Sequence, residues 1–181
     1  MSYERTKQYI GPGSKMLIYN LLSPEHRDRT PEVLADYLAL YMEHALDETD
    51  LYPGMRDVLT RLSHRTLTVA TNKSRPITER ILKGLDARDF FDVVFGPEDV
   101  EQLKPHPEMI LKTLEVTNTP SDRAIIVGDT PNDIRSGKAG GIGTCAVTYG
   151  YYPKEALTQE EPDFIVDSVM ELIPLLDEGR L

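Results

Sequence analysis

Residues 124 to 134 read Ala-Ile-Ile-Val-Gly-Asp-Thr-Pro-Asn-Asp-Ile, an apolar run that passes directly into a turn carrying two carboxylates, Asp129 and Asp133. A run with no polar face suits a strand covered on both sides, which is the condition of a parallel sheet flanked by helices. Acids placed just past the carboxyl end of such a strand converge where open parallel sheets hold their ligands. A carboxylate pair in that position suits a hard, oxygen-preferring cation such as Mg²⁺.

The rest of the chain supports that architecture in its second part and a different one in its first. From Gly13 to about Leu22, and again from Pro31 to about Leu46, apolar residues recur at helical spacing; Val33, Leu34, Tyr37, Leu38 and Tyr41 form one stripe. Thr30 followed by Pro31 predicts a helix start, with the hydroxyl as cap and proline in the first turn. No strand pattern interrupts these helices, so residues 1–50 read as a small helical subdomain. After the turn signal Leu51-Tyr-Pro-Gly, short apolar runs alternate with amphipathic stretches. Strands are expected at 67–70, 91–95, 124–127, 144–148 and 164–166, and helices near 55–62, 77–85, 107–116, 134–139 and 168–176. Alternation at this length implies right-handed crossovers and an α/β fold with a mainly parallel, doubly wound sheet over 51–181.

Three polar clusters fall at or beyond strand ends: Thr71-Asn72-Lys73, Lys104-Pro105-His106-Pro107, and Gly128-Asp129-Thr130-Pro131-Asn132-Asp133. In this order and spacing they resemble motifs two to four of the haloacid dehalogenase superfamily, and more narrowly its phosphoglycolate-phosphatase-like branch. Further phrases agree: Leu51-Tyr-Pro-Gly, Phe91-Asp-Val-Val-Phe-Gly, Ala139-Gly-Gly-Ile and Pro162-Asp-Phe-Ile-Val-Asp-Ser. The likeness runs from about Ile10 to Leu176. It implies a Rossmann-like core beneath a truncated α-helical cap, and a Mg²⁺-dependent phosphomonoester hydrolase acting on a small phosphorylated metabolite. By the same resemblance, Thr71 would hydrogen-bond the phosphoryl group, Asn72 would orient the substrate or the adjoining loop, and Lys104 would neutralise anionic oxygens. Asp129 would ligate Mg²⁺, and Asp133 would hold Lys104 or a metal-bound water. Those residue types make chemical sense, because phosphoryl transfer asks mainly for positioning and for neutralisation of oxygens. In the cap, Gly11, Gly13 and Lys15 are the candidates to face substrate, with Lys7 a further cation. Lys73 and Arg75 read as solvated surface charges.

Members of that superfamily begin with an apolar strand followed by Asp-x-Asp-Gly-Thr, whose first Asp attacks phosphorus. These 181 residues contain no such segment; Asp47-Glu-Thr-Asp50 follows a helix and lacks the Gly-Thr. The expectation is a chain that starts partway into the cap and does not turn over by itself. The alternative is a non-catalytic relative that serves as a phosphate- or metal-binding or assembly module. A second expectation is structural: the first central strand, between those at 67–70 and 124–127, is absent from the chain. Two apolar edges then open in mid-sheet and invite self-association.

Composition excludes several other classes. A formal net charge of -10 is the wrong sign for a nucleic-acid surface, and it obliges any anionic ligand to find a locally positive pocket. No apolar run is long enough to span a membrane, and the amino-terminal residues lack a signal-peptide core, so a cytoplasmic location is expected. The single cysteine, Cys145, sits in a small, apolar run and reads as a buried structural thiol rather than half of a disulfide. His26, His44, His64 and His106 lack the spacing of a zinc motif and read as surface residues.

Overall fold

The computed structural model describes residues 11–177. The expectations for Lys7 and for the rest of the first ten residues therefore lie outside the described residues.

Two helices, α1 (Ser14–Leu21) and α2 (Thr30–His44), pack on each other and are joined by a 3₁₀ segment, Pro24–Arg29. Pro31 sits in the first turn of α2 as expected, but Thr30 is not a cap. Its hydroxyl turns back and donates to the Arg27 carbonyl at 2.6 Å, because the preceding 3₁₀ turn already supplies the helical entry. The α2 stripe is only half-buried, and Leu40 is 59% exposed, since a two-helix layer cannot cover both of its members.

The α/β part follows in the order α3 (Met55–Arg61), β1 (Thr68–Ala70), α4 (Arg75–Gly84), β2 (Val93–Phe95), α5 (Glu108–Thr117), β3 (Ile125–Gly128), α6 (Pro131–Ala139), β4 (Gly143–Val147), α7 (Lys154–Thr158), β5 (Phe164–Val166) and α8 (Leu172–Asp177). Every strand pairing is parallel, as expected. Among the described residues, however, the strands form two sheets rather than one: β1 with β2, and β3-β4-β5 with β4 in the centre. The registers are Thr68 opposite Val93, Ile125 opposite Gly143, and Cys145 opposite Phe164.

Strand β4 is the structural centre. Cys145 and Val147 face a cluster made with Val58, Leu62, Val166, Val169, Leu172 and Leu175, which puts α3 and α8 on one face. Ala146 faces Ile134 and Leu157, which puts α6 and α7 on the other. Cys145, Ala146, Ile134 and Leu157 on these two faces have no exposure at all. Burial pushes the Cys145 thiol up to about 12, as expected of an inert core cysteine.

Strand β3 differs from its expected burial. Ile125 and Ile126 are half-buried and Val127 is 37% exposed, although the run is wholly apolar. All three residues of β1 are likewise half-buried. Among the described residues, each of these two strands has a neighbour on one side only, β2 for β1 and β4 for β3.

Candidate functional site

Strand ends and the turns after them bring the three polar clusters to one rim. The Thr71 N–H continues the β1–β2 ladder by donating to the Phe95 carbonyl at 3.1 Å, so its position is fixed by the sheet. Its hydroxyl oxygen accepts the Lys73 N–H at 3.0 Å, which closes a tight turn and leaves the hydroxyl proton available as a donor. Asn72 is buried, and its amide is fully used. It donates to the Lys104 carbonyl at 2.9 Å and to the Gly11 carbonyl at 2.8 Å, and it accepts the Lys104 N–H at 3.0 Å. Of the two roles expected for Asn72, orienting an adjoining loop is the one these bonds perform, and the loops are two: the one carrying Lys104 and the one entering α1.

Lys104 is buried, with 9% of its side chain exposed. It precedes Pro105 through a cis peptide bond. Its ammonium donates to the Ala70 carbonyl at 2.5 Å and to Asp133 Oδ1 at 2.6 Å. One lysine from the loop before α5 thus spans from the end of β1 to the start of α6, linking the two sheets at their carboxyl rim. Such a desolvated cation must be paired, and Asp133, also 9% exposed, is the partner.

Asp133 is held from its other side. Its Oδ2 accepts the Thr130 N–H at 3.0 Å and the Thr130 hydroxyl at 2.7 Å, making a reciprocal cap at the first turn of α6. The negative side chain also lies where a helix favours it, at the amino end. This folding-back requires Gly128: a Cβ there would lie 2.3 Å from the Asp133 Cβ. Both Asp133 oxygens are therefore engaged, and the side chain holds Lys104.

Asp129 takes the outer position. Its Oδ2 accepts the Tyr151 N–H at 2.8 Å. The Gly150 backbone passes so close that a Cβ there would lie 2.2 Å from the Asp129 Cβ. Tyr52 and Tyr149 stack edge to face at 5.0 Å beside it. Burial, first, and then the charges of Cys145, Tyr52 and Asp129 push the Tyr149 hydroxyl up to about 12. The segment Gly150-Tyr151 was not anticipated from sequence. The signal was available in the glycine set among tyrosines directly after β4, the strand beside β3.

Of the remaining candidates, Gly11 lies under this rim, its carbonyl on Asn72 and its α-carbon facing Tyr152 and Asn132. Gly13 adopts φ 96°, a left-handed value that suits glycine, and packs on Leu103 and the Asn72 carbonyl. Lys15 is exposed. Lys73 is not a free surface charge: it donates to the Tyr41 hydroxyl and sits 4.4 Å over the Tyr41 ring, tying α2 to the turn after β1. Arg75 is exposed and pairs with Asp99 at 3.1 Å. All four histidines are exposed.

Among the described residues, no group of three or more His, Cys, Asp or Glu side chains is arranged to enclose a metal. With Asp133 committed to Lys104 and Thr130, Asp129 is the one acid of the pair left to bind a cation. A single carboxylate fits Mg²⁺ only as a weak site that water and phosphate oxygens complete.

The chain is similar to known proteins in sequence and in fold. The profile of haloacid dehalogenase-like hydrolases matches residues 1–147. The chain belongs to that family. It is 39% identical over 196 aligned residues to the phosphoglycolate phosphatase of Salmonella paratyphi A, covering 96% of this chain and 78% of that protein. It is 32% identical over 185 residues to phosphoglycolate phosphatase 1 of Pseudomonas aeruginosa, covering 97% and 67%. Among solved structures, a haloacid dehalogenase-like hydrolase from Streptococcus pneumoniae superposes with a TM-score of 0.82 at 25% identity, over 96% of this chain and 81% of that one. CbbY from Rhodobacter sphaeroides, crystallised with phosphate, gives 0.78 at 24% identity over 94% and 80%. The fold is thus the haloacid dehalogenase-like α/β fold, and the chain is a phosphoglycolate-phosphatase-like member. Among the described residues, no helix is long and apolar enough to cross a membrane.

Proposed function

We propose that these residues form the anion-gripping rim of a Mg²⁺-dependent phosphomonoester hydrolase acting on a small phosphorylated metabolite such as phosphoglycolate, and that the 181 residues by themselves bind phosphate without turning it over. The observation that carries the reading is the buried Lys104 ammonium, fixed between the Ala70 carbonyl and Asp133 at the end of the strand that supplies Thr71. A buried lysine held on a carbonyl and a carboxylate is pre-positioned to meet anionic oxygens, with little reorganisation when a ligand arrives.

Each group then has a definite task. The Lys104 ammonium and the Thr71 hydroxyl donate to phosphoryl oxygens, Asp133 keeps the ammonium aimed, and Asn72 fixes the backbone from which it extends. Asp129 holds the divalent cation, whose charge neutralises phosphate oxygens when it is bound. The names of the two phosphatase relatives support the substrate class. What these residues lack is an acceptor for the phosphoryl group, since both oxygens of Asp133 are engaged and no Asp-x-Asp-Gly-Thr follows an apolar strand. Loss of a nucleophile costs about a million-fold in turnover in an unrelated hydrolase. The proposal extends to a second copy of the chain as a partner, joined through the open edges of β1 and β3.

The test is phosphate release from phosphoglycolate with and without Mg²⁺. The expected result is release at the level of buffer for these 181 residues, together with saturable binding of inorganic phosphate. Mg²⁺-dependent turnover by this chain alone would overturn the inactivity, and absence of phosphate binding would overturn the rim.

A further inference from the structure

Four successive residues follow β1, and each holds a different part of the molecule. Thr71 extends the ladder to Phe95 of β2, and Asn72 grips the Lys104 loop and Gly11. The Ser74 hydroxyl donates to Glu98 Oε1 at 2.9 Å, with the Arg75 N–H on the other oxygen of that carboxylate at 2.9 Å. Lys73 reaches the helical lobe: its ammonium donates to the Tyr41 hydroxyl of α2 and lies 4.4 Å from the centre of the Tyr41 ring. Tyr41 is braced in turn by Tyr37, one helical turn earlier, with ring centroids 5.7 Å apart.

Two features set this contact apart from an ordinary surface tie. Lys73 and Tyr41 are both half-buried, and among the described residues the ammonium has no carboxylate partner. The phenol oxygen and ring face are therefore what replace its water. The second feature is that the residue tethered to α2 by its side chain gives its own N–H to the Thr71 hydroxyl oxygen at 3.0 Å. That bond occupies one acceptor site of the hydroxyl and so sets the directions left to its proton. Lys73 has one end on the helical lobe and the other on the rim.

We propose that Lys73 is a positioning residue, through which Tyr41 of the helical lobe aims the Thr71 hydroxyl. The proposal rests on the reading of the rim as a phosphate grip. A side chain that meets a ligand must be held within about 0.5 Å of its productive place, which takes supporting contacts around it. Asn72 and Ser74 fix the turn on either side; the tether to Tyr41 fixes the residue between them, whose N–H sets the hydroxyl. A shift of α2 against the core is thus felt at Thr71, two residues from the tether.

The experiment compares the 181-residue chain with Tyr41→Phe, which removes one hydroxyl and keeps the ring and the lysine charge, and with Lys73→Met, which keeps the backbone N–H. Without ligand, the Lys73 amide is expected to exchange about fivefold faster in both variants, with the β4 amides unchanged. With inorganic phosphate, calorimetry is expected to show affinity about fivefold weaker in Tyr41→Phe. The same change made in Thr71→Val is expected to cost nothing further, because the tether acts through that hydroxyl. A loss that is as large in the Thr71→Val background, phosphate affinity unaltered by Tyr41→Phe, or a Lys73 amide that exchanges as slowly as in the parent overturns the proposal. A parent that binds no phosphate overturns the rim instead, and the exchange rates then decide by themselves whether Tyr41 holds the Thr71 turn.

Discussion

At the residue scale the site depends on side chains that hold other side chains. Asn72 is the clearest case, since one buried amide fixes the Lys104 loop through two bonds and the Gly11 carbonyl through a third. Asn72→Ala leaves two buried groups of Lys104 and the half-buried Gly11 carbonyl unpaired and is expected to cost about 2 kcal/mol, a drop of about 4–8 °C in melting temperature with weaker phosphate binding. Thermal denaturation and calorimetry check this; a variant as stable as the parent would contradict it. Glu108 secures the same loop from its other end. Its carboxylate accepts the Glu101 and Gln102 N–H groups and pairs with Lys112 at 3.0 Å. The Glu101 N–H, then Lys112, then the Gln102 N–H hold it down to about 2. A lowered folded-state value means the tether is intact above the ordinary carboxylate range and is lost as pH falls from about 4.5 towards 2. Amide exchange at Glu101 and Gln102 should accelerate over that window, and Glu108→Gln should remove the pH dependence. Thr71, Asp129 and Asp133 stand out in sequence because they follow apolar runs, and Lys104 because of its spacing from them; the structure places Lys104 against Asp133 and beside Asn72. The loop-orienting task of Asn72 was expected, but those of Lys73 and Tyr151 were not, because each is defined by a residue more than 20 positions away.

At the element scale, alternation of runs and amphipathic stretches located every strand to within two residues. Where a run is short the character of its ends is set by tertiary partners, and there the reading failed: Thr30 bonds backwards, and α7 was missed because five residues carry little periodicity. Burial was also misjudged for β3. An apolar run states that a strand can be covered on both sides; only its neighbours decide whether it is, and β3 has one. Among the described residues that leaves β1 and β3 each with one unpaired edge, and Val127 of β3 is 37% exposed. Amides on β1 and β3 are expected to exchange faster than those of β4, which is paired on both sides. Such edges pair with other chains unless charged, so association should rise with concentration, and Val127→Lys should suppress it. Sedimentation across a hundredfold concentration range checks this; a parent that stays monomeric throughout would contradict it.

At the scale of the whole molecule, an acidic chain is compatible with the proposed anion grip because that grip is local. A net charge of -10 opposes phosphate at long range, while the Lys104 ammonium acts within hydrogen-bond distance in a site shielded from water. The core built on β4 is made of apolar side chains on both faces of its sheet, while Thr71 and Asp129 lie half-buried at the rim. Changes at the rim should therefore alter ligand binding without dismantling the fold. The most direct test is calorimetric titration of the 181-residue chain with inorganic phosphate in Mg²⁺, beside Thr71→Val, which removes one hydroxyl, and Asp129→Asn, which removes one charge. The account predicts saturable binding by the parent, weakened about tenfold or more by each change, with melting temperatures preserved. Heats that are the same for all three proteins, or no binding by the parent, would contradict it.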